Sequence, residues 1–150
     1  HGMLIFSEII EWERILMGAA HIGTLERILE NSVEHAKTRK QFGQEIGKFQ
    51  SVANKIADMK VALEVGKNVL YKAGWMKDQG KRAVMDASIA KLFISESLKN
   101  ACLDAVQIHG AYGYMREYGI ERELRDSIAS TIYSGTSEIQ RKIISGMLGL

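Results

Sequence analysis

Ile15-Leu16-Met17-Gly18-Ala19-Ala20-His21-Ile22-Gly23-Thr24-Leu25 carries no charged residue. On either side of it, Ile9, Ile10, Ile28, Leu29 and Val33 continue the apolar set at mostly helical spacing. The spacing predicts one helix over Ser7–Lys37 that is apolar on several sides through its middle, which is the pattern of a helix packed between neighbours. Charge rises after Glu26, where the helix is expected to emerge toward solvent. The uncharged run is too short to cross a bilayer, and so is Ser127–Ser137.

Working outward, Thr38-Arg39-Lys40-Gln41-Phe42-Gly43-Gln44-Glu45-Ile46-Gly47 reads as a loop marked by its two glycines. Phe49, Val52, Ile56, Met59, Leu63, Leu70 and Ala73 predict a second helix over Phe49–Gln79. Ala87, Ile94, Leu98, Ala101, Ala105 and Ile108 predict a third over Arg82–His109, followed by a turn at Gly110-Ala111-Tyr112-Gly113. A short charged helix at Ile120–Asp126 and a last one at Thr136–Met147 complete the chain. There is no proline among the 150 residues, so little interrupts long helices. The expected fold is all-α: one domain over residues 1–150, an antiparallel four-helix-type bundle with short extra helices.

Composition excludes several functions. Twenty basic and eighteen acidic residues are interleaved, for a formal net charge of +2. No basic block suits nucleic acid or an anionic membrane. The single Cys102 lies in an Ala-Cys-Leu run and reads as a small core residue. His1, His21, His35 and His109 include no pair three or four apart, so no helical metal pair is expected. Gly110-Ala111-Tyr112-Gly113 follows a helix rather than a strand and is not a dinucleotide fingerprint. No signal peptide is visible, and the abrupt opening at His1-Gly2-Met3 reads as the start of a piece of a longer protein.

Two features carry chemistry. Tyr133-Ser134-Gly135-Thr136-Ser137-Glu138 places a flexible turn before a helix, with Thr136 or Ser137 as N-cap. Free helical N–H groups there suit an anion or polar ligand. Glu13 has Ile9, Ile10, Leu16, Met17 and Ala20 as its helical neighbours. A carboxylate in apolar surroundings is expected to titrate high, as a general base near neutral pH requires. The alternative is that Glu13 borders a crevice and pairs with Arg14 or an arginine from another helix. Glu11, beside Ser7, Glu8 and Arg14, is expected on a solvated side.

Taken in order, Arg39-x-x-Phe42-Gly43, Phe49-Gln50, Ala57-Asp58-Met59, Gln107-Ile108-His109-Gly110, Arg125-Asp126 and Gly135-Thr136-Ser137-Glu138-Ile139-Gln140-Arg141 resemble the C-terminal domain of the acyl-CoA dehydrogenase family. The resemblance covers essentially the whole chain. It implies that an N-terminal helical domain and a middle β-domain are absent here. It also implies α,β-dehydrogenation of an acyl thioester with FAD as hydride acceptor and an electron-transfer flavoprotein as partner. Family members assemble as homo-oligomers, commonly dimers or tetramers, in which this domain reaches a neighbouring subunit's FAD. Fatty acid or amino acid catabolism is the implied setting: cytoplasmic in a bacterium, the mitochondrial matrix in a eukaryote, with the cytoplasm favoured.

Carried over by position, Arg39 is the arginine on the flavin diphosphate, where a guanidinium fork suits phosphate oxygens. Phe42 and Gln50 lie beside the same nucleotide, and Gln107, Gly110 and Ala111 near its adenosine and diphosphate end. Thr136, Ser137 and Glu138 contact FAD from the helix start. Arg14, Tyr133, Ser134 and Gly135 adjoin the substrate thioester and its reacting carbons.

Two departures stand out. The family's Gly-Gly is Gly110-Ala111 here, which puts a methyl where backbone is expected near phosphate. The common Tyr-Glu-Gly-Thr is Tyr133-Ser134-Gly135-Thr136, and a serine hydroxyl without a partner is too weak a base. A minority, including isovaleryl-CoA and long-chain acyl-CoA dehydrogenases, carries its base on the first helix, just before an arginine. Glu13-Arg14 matches that pattern, while the Ser134 N–H is retained as the donor to the thioester oxygen. Two other readings accompany this one: dehydrogenation of an acyl group on an acyl-carrier protein, and a catalytically silent helical oligomerisation module.

Overall fold

The computed structural model describes residues 2–150, apart from the side chains of residues 3–5. Helix α1 spans Gly2–Thr38, α2 Gln50–Asp78, α3 Val84–His109, α4 Ala111–Tyr114, α5 Ile120–Ser130 and α6 Ser137–Met147. A small hairpin joins α1 to α2, with β1 at Lys40–Gln41 paired antiparallel to β2 at Gln44–Glu45. Short 3-10 turns occupy Ile46–Lys48 and Arg116–Tyr118. The all-α bundle expected from the sequence is the fold. The predicted loop after α1 is instead the hairpin. Its tip, Phe42-Gly43, has φ of 52° and 82°, the two positive values that a tight two-residue hairpin turn needs. Helix α5 also runs past Asp126 to Ser130.

The central element is α3, not α1. It packs against α1, α2, α4, α5 and α6. Ala87, Ala90, Ile94, Leu98, Ala101, Cys102 and Ala105 are all buried along it. Its many small side chains let the surrounding helices approach closely. Ile94 is fully buried, and such a side chain is worth about 2–5 kcal/mol against alanine. Cys102 is also fully buried, and burial pushes its thiol up to about 11. It is the inert core residue expected.

The apolar residues of α1 divide into two groups. Ile15, Ile22, Leu25, Ile28, Leu29 and Ala36 are buried against the bundle. That stripe persists beyond Glu26, so this face does not emerge toward solvent as expected. Ile9 and Leu16 remain 59% and 64% exposed. No helix among the described residues is long and apolar enough to cross a membrane.

Candidate active site and nucleotide end

Glu11 and Glu13 of the first helix have exchanged the places expected of them. Glu11, expected in solvent, is only 4% exposed. It accepts from Lys77 Nζ at 3.2 Å and from the Ala83 N–H at 3.2 Å. Glu11, Arg14, Ile15, Gly18 and Ile22 form one buried stripe, because i+3, i+4, i+7 and i+11 return to the same helical face. Glu13, expected among buried neighbours, lies on the exposed apolar side with Ile9 and Leu16. This chain does not supply the burial expected around it.

Glu13 nevertheless meets the motif at the far end of the chain. The Ser134 hydroxyl donates to Glu13 Oε1 at 2.6 Å, and Met17 Sδ lies 3.4 Å from that hydroxyl's own oxygen. Arg14 neither pairs with Glu13 through a hydrogen bond nor stands free. It is buried, donates from Nε to the Ser134 carbonyl at 3.2 Å and from Nη1 to Ser88 Oγ at 3.4 Å. Burial lowers the Arg14 pKa, and Glu11 and Glu13 offset this in part. The Gln140 amide donates to the carbonyls of Ser134 and Gly135 at 3.3 and 2.9 Å.

These contacts hold a strained turn. Ser134 has φ of 56° and Gly135 φ of 92°. Left-handed backbone disfavours a serine, so the arginine and glutamine clamps matter. Both clamps take carbonyls. Among the described residues neither the Ser134 nor the Gly135 N–H donates within the chain, which leaves Ser134 N–H free to point at a ligand oxygen.

The start of α6 differs from expectation. Thr136 is the N-cap, its hydroxyl accepting from the Ile139 N–H at 3.3 Å. The Ser137 N–H donates to the Thr131 carbonyl at 3.0 Å, and Ser137 itself is buried. Its hydroxyl is buried without a hydrogen-bond partner among the described residues, close enough to Glu96 to help hold that carboxyl below the usual range. The helix start is therefore largely satisfied from within, and Thr136 and Glu138 are its outward residues.

Sequence reasoning missed His21 and Lys91. His21 Nε2 lies 2.7 Å from the Tyr133 hydroxyl. Spacing could have found it, since Glu13, Met17 and His21 are successive fours on one face. Lys91 is buried, donates to the Ser130 carbonyl at 2.9 Å, and is lowered by burial and then by Arg14.

A second cluster lies at the other end of α1. The Arg39 guanidinium stands 5.7 Å over the Tyr112 ring. His35 stacks on His109 at 4.3 Å, and Tyr112 packs against Tyr118 at 4.9 Å. Phe42 is 92% exposed at the hairpin tip, edge-on to Phe49. Gln50, Gln107, Gly110 and Ala111 are exposed nearby in sequence. Gly110 has φ of 59° with nothing within 4 Å of where a Cβ would stand, whereas a Cβ on Gly113 would meet the Val106 carbonyl at 2.7 Å. The turn thus needs glycine at 110 for conformation and at 113 for packing, and tolerates Ala111 in solvent. An exposed planar cation, an aromatic shelf and open backbone fit the phosphates and ring of a dinucleotide. Thr38 follows Glu13 by twenty-five residues of α1, so the two clusters stand about 35–40 Å apart.

No group of His, Cys, Asp and Glu suited to a metal ion occurs among the described residues. His21 is lowered by burial and then Lys91, and His35 by burial, then His109 and Arg39. The unfolded chain takes up these protons near pH 6.5, the native protein only below that. Stability should therefore fall as pH drops through about 6.5 and be unaffected by these groups above it. Urea midpoints at pH 7.5 and 5.5 check this; a midpoint unchanged or higher at 5.5 contradicts it.

The family model described as acyl-CoA dehydrogenase, C-terminal domain, matches residues 1–148. The L-prolyl-(peptidyl-carrier protein) dehydrogenase of Pseudomonas fluorescens is 44% identical over 149 residues, 99% of this chain and 39% of that protein. The crystal structure of the prolyl acyl carrier protein oxidase AnaB is 55% identical, with a TM-score of 0.97, over 99% of this chain and 39% of that one. PigA with FAD and proline is 44% identical, with a TM-score of 0.96, over 98% and 38%. The chain spans about two fifths of the length of these relatives.

Proposed function

The chain belongs to the acyl-CoA dehydrogenase family, as its C-terminal domain, and from that we propose that the whole protein is an FAD-dependent dehydrogenase of acyl thioesters with Glu13 as its base. The observation that carries the reading is the 2.6 Å contact between Ser134 and Glu13. The residue standing where most of the family has its base is a hydrogen-bond donor to a carboxylate 121 positions away.

Each residue has a role in the proposed chemistry. Glu13 Oε1 is held by Ser134, which leaves Oε2 to take the α-proton of the thioester. The free Ser134 N–H meets the thioester oxygen, where charge builds as that proton leaves. Arg14, buried behind the same residue, holds the Ser134 carbonyl, one peptide on from that N–H, and adds positive charge. Bound FAD supplies the acceptor for the β-hydride. Thr136 and Glu138 at the start of α6 would help hold it, and Arg39, Phe42, Gln50, Gln107 and Gly110 would hold a dinucleotide at the other end. A single dinucleotide does not bridge clusters this far apart, which supports a homo-oligomer in which α1 serves two cofactors. The remaining length of the protein is assigned to the family's helical and β-domains.

The thioester is proposed to be a carrier-protein-bound prolyl-type group, rather than a free acyl-CoA. Likeness to the three relatives above, whose names specify prolyl, carrier protein or proline, supports this. An electron-transfer flavoprotein is the inferred acceptor, and a bacterial cytoplasm the inferred setting. The test mixes full-length, FAD-loaded protein anaerobically with prolyl carrier protein and with a panel of acyl-CoAs. Flavin bleaching by the carrier-bound thioester is expected, with reoxidation by an electron-transfer flavoprotein. Bleaching by acyl-CoA alone overturns the carrier-protein assignment. Bleaching by no thioester overturns the enzyme reading and leaves a silent helical module.

A further inference from the structure

We infer that His21 is a positioning residue of the active site, which fixes the Tyr133-Ser134 turn against α1 through the Tyr133 hydroxyl. The inference rests on the reading of Glu13 as base. Glu13, Met17 and His21 sit at i, i+4 and i+8, so one face of α1 presents all three to the turn. Two of its residues are tied down there: Ser134 to Glu13 at 2.6 Å and Tyr133 to His21 at 2.7 Å. The third tie, Arg14 to the Ser134 carbonyl, comes from the adjacent face.

The His21 tie sets a direction that the others do not. Arg14 and Gln140 hold carbonyls and so limit how far the turn moves away. Neither fixes rotation about the backbone between Tyr133 and Ser134. A phenol anchored at its far end does, because the ring acts as a lever on its own Cα. With Ser134 already in left-handed backbone, release of that lever lets the turn relax toward ordinary φ, which draws the Ser134 hydroxyl off Glu13 and re-aims the Ser134 N–H.

The surroundings favour a neutral imidazole accepting from the phenol. Burial disfavours protonation of His21, and Lys91 on α3 acts the same way. Tyr133 is kept as the phenol by burial and by Asp126 of α5. The Tyr133 O–H therefore donates to Nε2, and the imidazole proton resides on Nδ1. Protonated His21 has no lone pair to accept with, and the anchor is lost.

The experiment uses the full-length, FAD-loaded enzyme and four variants: His21→Leu, His21→Gln, Tyr133→Phe and the Leu/Phe double. His21→Leu and Tyr133→Phe are each expected to lower kcat about 10-fold with KM changed less than about 2-fold. The double variant is expected to lose no more than either single, since both remove one contact. His21→Gln, whose amide oxygen can accept from the phenol, is expected to recover most of the loss. NMR titration supplies a readout apart from turnover: the His21 imidazole should titrate below 6.5 and shift in Tyr133→Phe. Additive losses, no recovery by glutamine, or a titration indifferent to Tyr133→Phe would overturn the inference. If Glu13→Gln leaves turnover intact, the function reading itself has failed; if Glu13 proves essential and His21→Leu is silent, only this inference has.

Discussion

Glu13→Gln in the full-length protein is expected to lower turnover and flavin reduction by about a thousandfold, within the roughly 10²–10⁴ range of a positioned general base. The substitution is close to isosteric. A glutamine carbonyl can still accept from the Ser134 hydroxyl, which now reaches Glu13 Oε1 at 2.6 Å, so the turn keeps its tie to α1. The amide has no basicity with which to take an α-proton. The flavin should therefore remain bound with its full absorbance and fail to bleach when substrate is added. Stopped-flow reduction separates this from a binding defect. Near wild-type reduction would show that the proton leaves by another route.

Glu11→Ala is the second large effect, and it is one of stability. The Glu11 and Lys77 side chains are 6% and 9% exposed, 3.2 Å apart. Lys77 also lies over the Trp12 ring at 5.7 Å. Removing the carboxylate strands a buried ammonium, and frees the Ala83 N–H at the start of α3. Breaking one partner of a buried pair costs about 3–5 kcal/mol, and the melting point falls with it. Replacing both partners by apolar residues, as Glu11→Leu with Lys77→Met, should cost much less, because no charge is left unpaired. Thermal melts of the full-length variants followed by far-ultraviolet circular dichroism decide it. If the single and double variants melt alike, the ion pair is not the cause.

The two acids also show what the sequence could and could not say. The apolar period located α1, α2 and α3 and the bundle, because burial against neighbours is what that period encodes. It could not tell which apolar face of α1 meets this chain's own helices. Ile15 and Gly18, four and seven residues after Glu11, decide its burial, while the nearer Ser7, Glu8 and Arg14 suggested solvent. The face around Glu13 reads as apolar because it is apolar, yet nothing in the described chain covers Ile9 or Leu16. Phe42-Gly43 lacked the asparagine or aspartate that usually announces a two-residue hairpin, so β1 and β2 read as loop.

The candidate site was legible in its residues and not in its ties. Tyr133, Ser134 and Glu13 were found from motif and helical face. The contact between Ser134 and Glu13 spans almost the entire chain and has no local signal. Ser137 looked like part of a ligand-binding helix start because a sequence shows hydroxyls and not their direction; its N–H is spent on the Thr131 carbonyl and its side chain is buried. Lys91 was hidden as an ordinary helical lysine, because the Ser130 carbonyl to which its ammonium donates belongs to another element.

Helix α1 is one unbroken element of 37 residues, about 55 Å long, with the Glu13 cluster near its beginning and the Arg39 cluster just past its end. That makes its length a matter of phase as well as distance. Inserting one residue between Met17 and Thr38 would rotate Glu13 by about 100° about the axis relative to everything that follows, and deleting one would rotate it the opposite way. Seven inserted residues would nearly restore the angle, to within about 20°, but would move the two ends about 10 Å further apart. Single substitutions along the outer surface of α1 leave both quantities alone. The residue count of α1 thus sets both the distance and the phase between the two clusters at its ends.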